Sequence, residues 1–171
     1  APAPIKKAGI AAKLGLEDPF KGFKPIMSRV DMQGWNSDHQ FFDVAFNVVE
    51  PKLIIELGVW KGMSCIHMAQ LAKDRGLDCE ILAVDTWLGS SAHLSSEGRR
   101  SELSTEFGYP TIYKTFMSNV KTAGHDDVII PLPMDGNSAA YALTRLKVKA
   151  DIIHIDASHE YESALSDFRN Y

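Results

Sequence analysis

Apolar residues along the chain follow two alternating rhythms. Short, nearly continuous apolar runs recur at residues 52–57 (KLIIEL), 80–85 (EILAVD), 128–132 (VIIPL) and 151–155 (DIIHI), and between them apolar residues return at three- and four-residue spacing. A short run without polar alternation fits a strand covered on both faces, and the 3.6-residue period fits helices. One helix is predicted before the first strand, with capping-box spacing at Ser37 and Gln40 and an apolar face of Phe41, Phe42, Val44, Ala45 and Val48. Others are predicted from Met63 to Arg75, closed by Gly76, and from Pro110 along the stripe Ile112, Tyr113, Phe116, Met117 and Val120 to Gly124. A helix capped by Asn137 runs to about Leu146, and a last one covers Tyr161 to Tyr171. Strands alternating with helices predict an α/β fold, a Rossmann-like three-layer sandwich whose mainly parallel sheet carries helices on both faces.

Two segments stand outside this alternation. Residues 1–24, rich in Ala, Pro, Lys and Gly, read as an N-terminal arm that packs on the domain or on a partner, and residues 25–171 as the domain. From Leu88 to Phe107 the chain turns polar, which predicts a long loop or a broken helix of the kind that forms lids.

Composition narrows the function classes. The chain has 171 residues, 45% of them hydrophobic, enough for one core. Its net charge of −4 comes from interspersed charges, with no basic run to meet a phosphate backbone, so nucleic acid is not an expected partner. No apolar stretch approaches the roughly 20 residues that cross a bilayer, and the N-terminal residues lack a signal-peptide core, so a cytoplasmic protein without a membrane partner is expected. Cys65 and Cys79 are too few for a disulfide scaffold or a four-thiolate zinc site.

Candidate chemistry gathers at the strand ends. The first strand runs into ELGVWKG, where Gly58 and Gly62 permit positive φ and the following helix N-terminus favours an anion. The spacing is not that of a dinucleotide fingerprint, and Trp60 fills the middle position, so the turn is either a ligand cradle or a tight strand-to-helix connection. Asp85 ends the second strand, either accepting ribose hydroxyls or capping a helix, and Trp87 either flanks an adenine ring or packs in the core. Asp156 and His159 follow the fourth strand. His159 has a pKa suited to a general base, with a capping or surface histidine as the alternative, whereas His154 in mid-strand reads as a core histidine. Arg99 and Arg100 read as a solvated charged loop.

With ELGVWKGMS from Glu56, AVDTWLGS from Ala83, PLPMDGNS from Pro131 and DIIHIDASHEY from Asp151, the chain resembles the class I S-adenosylmethionine-dependent methyltransferases, in the branch related to cephalosporin hydroxylase and macrolide-sugar methyltransferases. The resemblance runs from about Arg29 to Tyr171. It implies that Glu56, Gly58 and Gly62 hold the methionine part of S-adenosylmethionine, that Asp85 holds its ribose, and that Met134, Asp135, Gly136 and Ser138 border the adenine, with Trp60, Ser64 and Trp87 also among the cofactor-binding residues. Asp156 and His159 would face the methyl group and a small-molecule acceptor, a hydroxyl of a metabolite or sugar. Two departures from the family's habit are Trp60, where a further glycine is common, and Ala157, where glycine is frequent.

In metal-dependent relatives Asp156 would help to hold Mg2+, together with acidic residues after a fifth strand. No fifth strand follows before Tyr171, so a fragment of a longer enzyme is expected, lacking the C-terminal part of the domain, with the fourth strand as an edge that could pair with another copy of the chain. A non-catalytic nucleoside- or partner-binding module is the competing function. A nicotinamide-dependent oxidoreductase is disfavoured by the glycine turn, and a mononuclear iron hydroxylase by the absence of a two-His-one-carboxylate spacing.

Overall fold

Among the described residues, four parallel strands, one for each apolar run, form the sheet on which the candidate residues are mounted. The structure, a computed structural model, describes residues 9–26, 31 and 33–171. The first helices are α1 (Ile10–Lys13) and α2 (Phe41–Val48), followed by β1 (Leu53–Leu57), α3 (Met63–Asp74) and β2 (Glu80–Asp85). Two short helices, α4 (Ser91–Ser95) and α5 (Glu97–Arg100), lead through a 3-10 turn at Ser101–Leu103 to a small hairpin, β3 (Thr105–Glu106) and β4 (Tyr109–Pro110). The chain closes with α6 (Ile112–Ala123), β5 (Ile129–Pro133), α7 (Gly136–Arg145), β6 (Ile152–Ile155) and α8 (Tyr161–Asn170).

The sheet order is β5-β2-β1-β6. After β5 at one edge the chain returns across the sheet to place β6 beside β1, with Glu56 in register with both Ala83 and His154. Such a reversal of strand order opens a crevice at the carboxyl ends of the neighbouring strands. The two-residue side-chain period divides the core. Ile54, Ile81, Ala83 and Ile129 pack toward α3 and α6, and Ile55, Leu57, Leu82, Val84 and Leu132 pack on the other side against α7 residues Ala139 and Leu143. The α/β sandwich with a parallel sheet is therefore the fold of the chain.

Several boundaries differ from expectation for local reasons. Pro110 does not open α6. It pairs with Thr105 across a hairpin whose two turn residues, Phe107 and Gly108, both have positive φ, the geometry of a tight two-residue turn. The cap of α7 is Asp135, whose side chain accepts the Ser138 N–H, and Asn137 lies inside the helix. At α2 the N-cap is Gln40, with helical dihedrals and no side-chain cap bond, so the Ser37/Gln40 capping box does not form. The buried face of α2 is Phe42 and Phe46, while Phe41, Val44 and Val48 are exposed.

Residues 9–26 pack on the domain. Ile10, Ala11 and Phe20 are buried, the Ile10 N–H donates to the Glu80 carboxylate at 2.9 Å, and Lys121 Nζ donates to the Phe20 carbonyl at 2.9 Å. At the outer edge β6 leaves Ile153 and Ile155 partly exposed. Among the described residues, no helix is long and apolar enough to cross a membrane.

Candidate active site

The turn after β1 is held from all sides. Gly58 has φ +80°, and a Cβ placed there would lie 2.4 Å from the Asp156 carbonyl oxygen and 2.3 Å from Ala157 Cα. The close backbone approach that Gly58 permits is thus to the loop after β6, which the Asp156 N–H bonds to the Leu57 carbonyl at 2.8 Å. Gly62, at φ +88°, is the N-cap of α3, and a Cβ there would meet the Phe116 ring at 2.7 Å. Between the two glycines, Trp60 itself adopts φ +52°, a conformation that costs a side-chain-bearing residue about 1–2 kcal/mol.

Asp85 stabilises that conformation. Its Oδ2 accepts the N–H groups of Val59 (2.8 Å) and Trp60 (2.9 Å), and its Oδ1 accepts the N–H of Trp87 (2.7 Å). Three of about four acceptor sites on the carboxylate are therefore filled by the backbone. Burial raises the Asp85 pKa, a tendency that the three amides oppose and the nearby Glu56 reinforces. Trp87 is buried against Tyr113 and Phe116 and donates its indole N–H to the Trp60 carbonyl at 2.9 Å.

Glu56 lies beneath the turn, wholly shielded from solvent. Its carboxylate accepts from the Ser64 hydroxyl and from Cys65 Sγ in the first turn of α3, and His154 Nδ1 stands 3.4 Å away, near enough for an ion pair without hydrogen-bond alignment. Burial works against a charged His154, but Glu56 and Asp156 outweigh it and raise the pKa. The Cys65 thiol is pushed up by burial and by Glu56, so it is an inert thiol. Glu56 and Ser64 thus anchor the helix to the sheet from below the crevice floor.

A cavity of about 620 Å³, within the usual range for small-molecule sites, opens at the carboxyl ends of β2 and β5. Trp87 and Leu88 line one side, Met134 and Asp135 the second, and Tyr109 and Tyr113 the third. Gly136 and Ser138 lie in the first turn of α7, outside the cavity lining, Gly136 accepting through its carbonyl from the Tyr171 hydroxyl at 2.9 Å. Hydrogen bonds from the Ser138 side chain and backbone hold the Asp135 carboxyl below the usual range.

Asp156 and His159 sit at the other end of the crevice. His159 Nε2 is 3.6 Å from Asp156 Oδ1, with the His159 side chain 87% and the Asp156 side chain 48% exposed. Burial raises the Asp156 pKa, against the pull of His154 and His159. The polar segment after β2 reaches over this region. His93 in α4 stacks on Trp60 with ring centroids 4.9 Å apart, and the Ser91 hydroxyl donates to the Glu160 carboxylate beside His159. Arg99 and Arg100 are exposed, but in the short helix α5 and not in a loop, with the Arg100 guanidinium donating to the Leu94 carbonyl at 2.6 Å.

Among the described residues, no group of three or more His, Cys, Asp or Glu side chains is arranged to hold a metal ion. Asp156 with His159 does not make the near-octahedral oxygen set that Mg2+ demands. Sequence reasoning did not single out Asp31, Lys61, His93 or Asn119, all of which touch the turn or its neighbours. The one local signal was Asn119, a polar residue on the buried stripe of α6.

In comparison with known proteins, a family model described as a methyltransferase domain matches residues 55–171. That span begins in β1 and takes in the glycine turn, Asp85, the cavity between β2 and β5, and the Asp156 loop. No curated protein matches the chain.

Proposed function

Because the chain belongs to the methyltransferase-domain family, we propose that it binds S-adenosylmethionine along the carboxyl ends of β1, β2 and β5 and methylates a hydroxyl of a small metabolite or sugar. The observation that carries this reading is the cavity between Trp87 and Met134–Asp135, which adjoins the turn fixed by Asp85. Its apolar walls with a few polar groups suit an adenosine moiety. The N-terminus of α3, capped by Gly62, offers backbone amides to the methionine carboxylate.

The cofactor supplies an already activated methyl group, so the protein's part is alignment and removal of one proton. His159 is the candidate base and Asp156 the group that orients it, on a loop that Gly58 brings against the turn. Asp85 retains about one free acceptor position, enough for a single ribose hydroxyl while it holds the turn. No step here runs through a metal ion.

Calorimetric titration with S-adenosylhomocysteine tests the first step. Saturable one-to-one binding is expected, and no heat of binding from the folded chain would defeat the proposal. Substitution of Asp156 and His159 by Ala then tests catalysis. Binding without methyl transfer to any hydroxyl acceptor by the unaltered protein would favour a non-catalytic nucleoside-binding module.

A further inference from the structure

Asn119 occupies a position where an apolar side chain would serve the core of α6, and it is wholly buried. Every hydrogen-bonding direction of its amide that the structure fills goes to another segment. Nδ2 donates to the carbonyls of Asp31 and Lys61, at 2.8 Å each, and Oδ1 accepts the Asp31 N–H at 3.0 Å. Lys61 closes the circuit: its Nζ donates to Asp31 Oδ2 at 2.8 Å and to Gln33 Oε1 at 2.6 Å, and lies 5.5 Å from the centroid of the Trp60 ring. One buried amide therefore joins α6, the cofactor turn and the segment ahead of α2.

We propose that Asn119, Asp31 and Lys61 are positioning residues for the cofactor turn, so that the binding site extends to a segment that precedes the family-matched region. The proposal rests on the reading that this turn binds S-adenosylmethionine. Trp60 holds a left-handed conformation that a residue with a side chain disfavours, and such conformations persist only where the surroundings over-determine them. Asp85 fixes the Trp60 N–H and Trp87 fixes the Trp60 carbonyl, but the next carbonyl, that of Lys61, is fixed by Asn119. Without that bond, and without the Asp31 carboxylate on Lys61 Nζ, the second half of the turn keeps chiefly the Gly62 N–H bond to the Val59 carbonyl, at 2.9 Å, to hold it against the N-terminus of α3.

Asp31 belongs to none of the expected site residues, and its side chain is 44% exposed, so its replacement tests positioning without opening the core. In the experiment, S-adenosylhomocysteine affinity and hydrogen exchange across residues 58–62 are measured for the unaltered chain, Asp31→Ala, Asp31→Asn and Asn119→Ala. The expected result for Asp31→Ala is an affinity loss of about tenfold, with faster exchange at 58–62 and unchanged exchange in β2. Asp31→Asn keeps an acceptor oxygen for Lys61 Nζ and restores most of the affinity. Should Asn119→Ala fail to fold, the two Asp31 variants carry the test. Exchange across 58–62 at the unaltered rate in Asp31→Ala would overturn the interlock. Absence of binding by the unaltered chain would defeat the cofactor reading instead, leaving the exchange rates to decide the interlock by themselves.

Discussion

Glu56 and His154 face each other across the β1–β6 register, carboxylate to Nδ1 at 3.4 Å, with Glu56 wholly buried and the His154 ring edge-on to Phe42 at 5.1 Å. The pair joins the interior strand to the edge strand directly below the loop that carries Asp156.

This pair gives the fold a pH dependence. Because the folded-state pKa of His154 is raised, its contribution to stability is full below the unfolded value of about 6.5 and is lost as pH rises through the higher folded value. Thermal melts from pH 6 to 8 should show the unaltered protein losing stability relative to His154→Gln. Parallel melting curves for the two proteins across that range would contradict the assignment.

Gly58→Ala should destabilise the fold by about 2 kcal/mol or more, since the new Cβ combines a left-handed φ with backbone atoms closer than contact distance. Urea denaturation measures the change. A loss under about 0.5 kcal/mol would mean that the loop after β6 can move away from the turn at little cost.

Asp85→Ala removes the acceptor of three backbone amides at once. Buried donors left without partners cost about 1–3 kcal/mol each, so stability and S-adenosylhomocysteine affinity should fall together. If affinity falls while the denaturation midpoint stays fixed, Asp85 acts on the ligand alone and not through the turn.

His159 predicts the opposite combination. With its side chain 87% exposed, His159→Ala should change stability by no more than about 0.5 kcal/mol while slowing methyl transfer by about a hundredfold or more. Undiminished transfer in this variant would remove His159 from the reaction.

These residues differ in how far the sequence exposed them. The four sheet strands begin and end within about a residue of the apolar runs, because short runs of adjacent apolar residues carry no helical period, and this holds even for the edge strand β6, whose Ile153 and Ile155 are partly exposed. Helix ends were less legible. Asp135 and Asn137 are both good caps, and only the position of β5 decides that Asp135 takes the Ser138 N–H. Pro110 can start a helix as well as end a hairpin, and the hairpin depends on Phe107 accepting a positive φ. Within the site, spacing located Gly58, Asp85 and Asp156 at strand ends, but not their mutual bonds. The occupation of Asp85 by the turn amides and the burial of Glu56 against Ser64 depend on how the turn and α3 settle on the sheet, and the Asn119 bond to Asp31 joins residues 88 apart in the chain.

The most direct measurement of the central claim is a crystal structure of the protein soaked or grown with S-adenosylhomocysteine. The adenine ring is expected in the cavity bordered by Trp87 and Met134, with the carboxylate of the amino-acid part at the N-terminus of α3. A ligand bound elsewhere, with that cavity left to solvent, would contradict it.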